Sequence, residues 1–212
     1  KLPSEPALAE RFDVNRLTLR AAVTALVDEG LLRREQGRGT FVERKKRLVY
    51  PISRRTRFSA GLSQQTDEAT VQVLGTSREA SSPHLAERLA LGPGDPVMRV
   101  ETLSLADKVA VFRSTSWFPA DRFSTIGDDI IKTGSITKAL LAHGVSDYVR
   151  HSTQIEARHA TPEDCADLHL SSGAIVLNAE ALNHDAGGLP IQFTISRIAA
   201  DRVTLRIDSG ET

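Results

Sequence analysis

Residues 4–42 carry the pattern that most constrains this chain. Ser4-Glu5-Pro6-Ala7-Leu8-Ala9-Glu10-Arg11-Phe12 runs into the turn Asp13-Val14-Asn15. Arg16-Leu17-Thr18-Leu19-Arg20 follows, then Glu29-Gly30-Leu31-Leu32 and Gln36-Gly37-Arg38-Gly39-Thr40-Phe41-Val42. Ser4 is an N-cap, because its hydroxyl accepts an N–H of the first helical turn. Glu5 suits that positive helix end, and Pro6 is tolerated there. Leu8, Ala9 and Phe12 recur at helical spacing and predict a buried stripe. Asn15 is placed to cap a second helix. In that helix Leu19, Ala22, Val23 and Leu26 fall at i, i+3, i+4 and i+7, and Gly30 ends it. Leu31–Glu35 and Thr40–Arg44 read as two strands around a tip whose glycines permit positive φ. The sum is a helix-turn-helix followed by a hairpin wing.

Arg16 and Arg20 are one helical turn apart. Leu17, Ala21 and Thr24 share their side, so that face begins with two guanidiniums and then turns small. A helix entering a major groove needs this shape, with bidentate donors near its start and no bulk beyond. Arg38 is offered outward from the wing. Double-stranded DNA is the partner this implies. The alternative is a plain helical hairpin with surface arginines.

The formal net charge is zero, but it conceals an asymmetry. Residues 1–57 hold 14 Lys/Arg against 7 Asp/Glu, and residues 58–212 hold 13 against 20. A +7 head on a −7 body suits a protein that sets one end on phosphate. Arg44-Lys45-Lys46-Arg47 offers further phosphate contacts. The single cysteine excludes an intrachain disulfide, which fits a reducing cytoplasm. No apolar run is long enough to span a membrane. A winged helix needs one more helix to close its core, so a segment ahead of Lys1 is expected.

Residues 45–57 read as a linker between a head at 1–44 and a body at 58–212. In the body, Thr70–Ser77, Val97–Ala106, Val109–Phe118, Tyr148–Ala160, Ile175–His184 and Pro190–Ala199 read as strands, and Val203–Asp208 is expected to close their sheet. Pro83–Leu91, Ser135–Ala142 and Thr161–Leu168 read as helices. The class is α+β with a mainly antiparallel sheet.

These residues resemble the GntR family of bacterial transcription regulators. The head pattern Leu2-Pro3-Ser4-Glu5, Leu8-Ala9, Val14, Arg16, Thr18-Leu19-Arg20, Leu26, Gly30-Leu31 and Gly37-Arg38-Gly39-Thr40-Phe41-Val42 carries that likeness. The body is similar to the UTRA effector domain of the HutC-type subfamily, which has a chorismate-lyase-like fold. Within it the likeness is to regulators of phosphonate metabolism. It rests on Thr56-Arg57-Phe58-Ser59, Phe118-Pro119-Ala120-Asp121-Arg122-Phe123, Ser135-Ile136-Thr137, Gly144-Val145-Ser146-Asp147-Tyr148-Val149-Arg150 and Ser196-Arg197-Ile198-Ala199-Ala200-Asp201-Arg202-Val203. The resemblance implies a homodimeric repressor that binds a palindromic operator and answers a small effector, with no cofactor or metal.

The resemblance also implies site residues. On the operator these are Ser4, Asn15, Arg16, Thr18 and Arg20, with Gly37, Arg38 and Gly39 as the wing. Around the effector they are Arg57, Phe58, Ser59, Arg99, Ser114, Ser135 and Gln192; the chemistry of an anion cradle adds Arg150, with Tyr148 of the same stretch as a further candidate. Ser114 and Gln192 stand where sugar-phosphate-binding members carry glutamates. Their neutrality argues against an amino-sugar phosphate. An anionic head group wants arginine forks and helix starts, which this set supplies. The alternatives are a regulator of a sugar phosphate, an enzyme of the same body fold fused to a DNA-binding head, and an architectural DNA binder. The absence of a nucleophile or acid–base motif disfavours the enzyme. Cys165 and His169 stand four apart on a helix, but one cysteine makes a buried thiol beside a surface imidazole the simpler reading.

Overall fold

The computed structural model describes residues 1–28, 31–42, 47–55, 57–62 and 64–208, the side chain of Ser59 excepted. The chain divides into two compact units, Lys1–Lys46 and Arg47–Thr212.

The head begins with α1 (Glu5–Arg11), capped by Ser4, whose hydroxyl accepts from Ala7 N–H, with Pro6 in the first turn. Asn15 Oδ1 accepts from Thr18 N–H at 2.7 Å and starts α2 (Arg16–Asp28). The wing is β1 (Leu32–Glu35) paired antiparallel with β2 (Gly39–Val42). Gly37 and Gly39 take φ of +74° and +111°, which only glycine adopts without strain at this tip. Leu8, Ala9, Leu19, Val23 and Leu32 form the core. The expected stripe was too wide. Phe12 is 63% exposed, because it is the C-cap of α1 and lies beyond the turn that meets α2. Ala22 and Leu26 are also exposed, since Val23 and Val27 carry the helix face that packs on Leu32. Gly30 and the run 44–46 lie outside the described residues.

The body is a six-stranded antiparallel sheet in the order β4-β5-β6-β9-β8-β7. Its strands are β4 (Ala69–Ala80), β5 (Pro96–Ala106), β6 (Val109–Pro119), β7 (Tyr148–His159), β8 (Ile175–Asp185) and β9 (Pro190–Ala199). Asp107 and Lys108 join β5 to β6 with φ of 48° and 66°, the mirror-image turn that matches strand twist.

Two corrections concern the segments outside this sheet. Val203–Arg206 (β10) does not close it. It pairs in parallel with Leu48–Pro51 (β3), which lies inside the expected linker. Tyr50 explains the docking of β3: it is buried, with its ring edge-on to Phe112 at 4.9 Å. A parallel pairing between residues about 150 positions apart leaves no local trace in sequence.

The helices cover both faces. α4 (Pro83–Leu89) and α7 (Pro162–Leu168) lie on one, where Leu85 and Leu89 meet Leu182 and Phe193, and Leu168 meets Val176. α7 starts with a capping box between Thr161 and Asp164. Burial pushes the Asp164 carboxyl up, but hydrogen bonds from Thr161 and the charges of Arg158 and Arg197 outweigh it and hold it below the usual aspartate value. The other face carries α5 (Ile126–Thr133) and α6 (Ile136–Ala142) at one end, and the β3–β10 ribbon with α3 (Phe58–Leu62) at the other. α5 was not foreseen. Its Ile126 and Ile130 are fully buried one turn apart, and Gly127 lies so close to β4 that a Cβ would come within 2.6 Å of Thr76 Oγ1.

Candidate functional site

In the head, α2 presents Arg16, Leu17, Thr18 and Arg20 to solvent. Arg20 Nε donates to Glu5 Oε2 at 3.2 Å, and Arg34 reaches Thr24 Oγ1 at 3.2 Å and Glu5 at 3.5 Å. Glu5 therefore holds Arg20 against the start of α1. Arg38, at the wing tip, pairs with Glu35 at 2.6 Å and remains 74% exposed. Asn15 spends its carbonyl oxygen on capping. Ser4 spends its hydroxyl oxygen in the same way, on Ala7 N–H.

In the body, the two apolar clusters on the α5–α6 face do not meet. One is built on Phe118, Phe123 and Leu140, the other on Phe112, Tyr50 and Leu62. Between them lies a cavity of about 110 Å³ over the middle of the sheet. Alternation along the strands sets its floor. Thr102 and Ser104 of β5, Ser114 and Ser116 of β6, Asn183 of β8, and Gln192, Thr194 and Ser196 of β9 all point into it. These groups bond across strands. Ser114 and Ser196 hydroxyls meet at 2.8 Å, as do Ser116 and Thr194. Asn183 Nδ2 donates to Gln192 Oε1 at 2.8 Å, and Gln192 Nε2 donates to Ser116 at 3.0 Å. Thr102 Oγ1 is buried and has no partner.

Two cations stand on the walls, Arg57 and Arg150, and the lining residues include no carboxylate. Arg150 Nε is buried and has no partner, although its guanidinium bonds Tyr50. Burial drives the Tyr50 hydroxyl up to about 12, so it stays protonated despite the opposing pull of Arg150. Arg57 lies over the Tyr148 ring, 3.6 Å from its centre, and donates to Tyr148 O at 2.9 Å and Asp147 Oδ1 at 3.1 Å. Tyr148 OH is 3.0 Å from Thr137 Oγ1 of α6. Ser135 caps α6 at the rim.

The cavity thus gathers Arg57, Phe58, Ser114, Ser135, Tyr148, Arg150 and Gln192 from the residues singled out in the sequence. The side chain of Ser59 lies outside the described residues. Arg99 is a correction. Val100 and Thr102 face the cavity side, so pleating turns Arg99 to the opposite face, where it pairs with Glu101. There Glu101 and Asp167 also hold Arg113, a network that docks α7. The residues missed were the floor residues Thr102, Ser104, Ser116, Asn183, Thr194 and Ser196. Their signal was present: Thr-x-Ser, Ser-x-Ser and Gln-x-Thr-x-Ser repeat at period two along three strands. Among the described residues no three His, Cys, Asp or Glu side chains cluster to hold a metal. No described helix is long and apolar enough to cross a membrane.

Comparison with known proteins decides the family. Residues 1–42 match the bacterial regulatory proteins of the gntR family, and residues 64–204 match the UTRA domain. The chain is a GntR-family regulator with a UTRA domain. It is 47% identical over 208 residues to the HTH-type transcriptional regulator RB1450 of Rhizobium meliloti (strain 1021), covering 98% of this chain and 85% of that protein. It is 31% identical over 208 residues to a protein named "Probable transcriptional regulator PhnF" of Escherichia coli (strain K12), covering 98% and 86%. Its fold resembles the crystal structure of PhnF from Mycobacterium smegmatis, with a TM-score of 0.70 at 22% identity over 100% of this chain and 92% of that one. This GntR-type regulator therefore joins a DNA-binding head to an effector-type body, and its matched relatives are transcriptional regulators.

Proposed function

We propose that this regulator is a cytoplasmic, homodimeric repressor that leaves its operator when the body cavity binds a small oxyanion of the phosphonate or phosphate type. The observation that carries the effector class is a cavity with two arginines, no lining carboxylate and a neutral hydroxyl and amide floor. Arg57 and Arg150 take the anion. Ser114, Ser135, Tyr148 and Gln192 line its remainder. Arg16, Thr18 and Arg20 read the operator, with the Gly37-Arg38-Gly39 tip on adjacent phosphate. The test is the melting temperature of the wild type against phosphate, methylphosphonate, sulfate, neutral sugar phosphates and amino-sugar phosphates. A rise with the first two supports the reading, and an unmoved curve across the panel sinks it.

A sugar phosphate is the second reading, favoured by the many hydroxyl partners on the floor. An amino-sugar phosphate as the sole active compound means that the neutral Ser114 and Gln192 have been misjudged.

Thr102 offers a sharper check. Its unpaired hydroxyl is a cost to the free protein, of about 1–3 kcal/mol for a buried polar group. Thr102→Val is expected to raise the melting temperature of the free protein while weakening effector binding. A variant that is less stable and binds normally assigns Thr102 to packing. For the assembly, sedimentation of the intact chain is expected to give a dimer at tens of micromolar, roughly where weak dimers begin to dissociate. A monomer at that concentration counts against the homodimer.

A further inference from the structure

Asp147 belongs to neither apolar cluster and does not line the cavity, yet it holds two arginines of the chain that leads there, Arg55 and Arg57. Its Oδ1 accepts from Arg57 at 3.1 Å, and its Oδ2 pairs with Arg55 at 2.9 Å. Arg57 stands eleven residues past Lys46, the last residue of the head unit. Next to it, Arg150 N–H donates to Arg54 O at 2.8 Å, so backbone at 54 is bonded to the free edge of β7. Arg54, Arg55 and Arg57 are therefore fastened to the body by one carboxylate, by one edge-strand hydrogen bond, and by the contact of Arg57 with Tyr148. Two of those fastenings use the Arg57 side chain, a cation of the cavity, and one uses the backbone N–H of Arg150.

We propose that Asp147 is an internal stand-in for the effector anion. It occupies the Arg57 guanidinium while the cavity is empty, and the effector displaces it. A guanidinium that is 16% exposed and a carboxylate that is 40% exposed form a partner pair that an anion inside the cavity can outcompete, because that anion meets Arg150 as well as Arg57. When Arg57 turns to the effector, Asp147 keeps only Arg55, whose side chain is 69% exposed and worth little as an anchor. The chain at Arg54 and Arg55 then loosens. Effector binding and release of that stretch become one exchange of partners. This rests on the oxyanion reading of the cavity.

The test uses the intact protein, with inorganic phosphate and methylphosphonate as probes. Asp147→Asn removes the stand-in, and Asp208→Asn makes the same charge change on an exposed residue that pairs with Arg206 instead. Two quantities are read: the dissociation constant of the anion, and the rate of tryptic cleavage after Arg54. In the wild type, cleavage is expected to be slow and to accelerate several-fold when the anion saturates. In Asp147→Asn it is expected to be fast without anion and unresponsive to it. That variant should bind the anion about two- to fivefold more tightly, the fold-change equivalent of a partly exposed ion pair. Asp208→Asn should match the wild type in both. If Asp147→Asn and wild type bind the anion alike with equal cleavage, the exchange is overturned and the oxyanion reading stands. If Asp208→Asn behaves like Asp147→Asn, bulk charge is the cause and the exchange is again overturned. If neither protein binds either anion, the oxyanion reading falls and the exchange falls with it.

Discussion

Arg16→Ala and Arg20→Ala are each expected to weaken operator binding by about 1–3 kcal/mol, roughly five- to 150-fold if each arginine makes a bidentate base contact. The measurement is a binding isotherm on palindromic DNA selected from a random pool, repeated across salt. Wild-type affinity should fall steeply as salt rises, because every neutralised phosphate releases counterions. A base-reading arginine lost to alanine lowers affinity most on the selected site and leaves the salt slope nearly unchanged. A phosphate-contacting one lowers affinity on all sequences and flattens the slope by about one ion. The two positions should differ. Glu5 holds the Arg20 guanidinium, whereas no ion pair to Arg16 occurs among the described residues. Glu5→Gln is therefore expected to reduce discrimination between sites while Arg20 is still present. Unchanged affinity in both alanine variants removes α2 from the operator.

Arg150→Ala is expected to abolish the rise in melting temperature that a cavity-bound anion produces. At a hundred times its dissociation constant, a ligand that binds only the folded state stabilises it by about 2.7 kcal/mol. For a domain of this size that is roughly 5–10 °C. Arg150 is the residue to remove because its Nε is buried and unpaired, so the free protein has no use for that donor. Arg150→Lys should restore little, since an ammonium lacks the paired donors that match an oxyanion. Arg57→Ala should also lose the rise. His169→Ala should keep it, because His169 ends α7 on the opposite face of the sheet. A full ligand shift in Arg150→Ala moves the anion away from this cavity.

The head was legible in the sequence because its information is local. Ser4 and Asn15 cap helices three residues on, the wing glycines mark their own positive φ, and Arg16 and Arg20 are neighbours by helix geometry alone. The long strands of the sheet were legible for the same reason, since pleating writes itself at period two. Three features were decided only by tertiary structure. Parallel pairing of Leu48–Pro51 with Val203–Arg206 joins residues about 150 positions apart, so Tyr50 reads as linker until Phe112 is beside it. The strand of Arg99 could be assigned but not its orientation, because the cavity side of a sheet is fixed by what packs on it. The polar floor looked like strands with too many hydroxyls. It became the floor of a cavity only when two apolar clusters closed at either end of one sheet face and left the middle open. Local hydrogen bonding and periodicity determine which elements form. Which face receives a lid, and where that lid stops, depends on volumes contributed by distant parts of the chain.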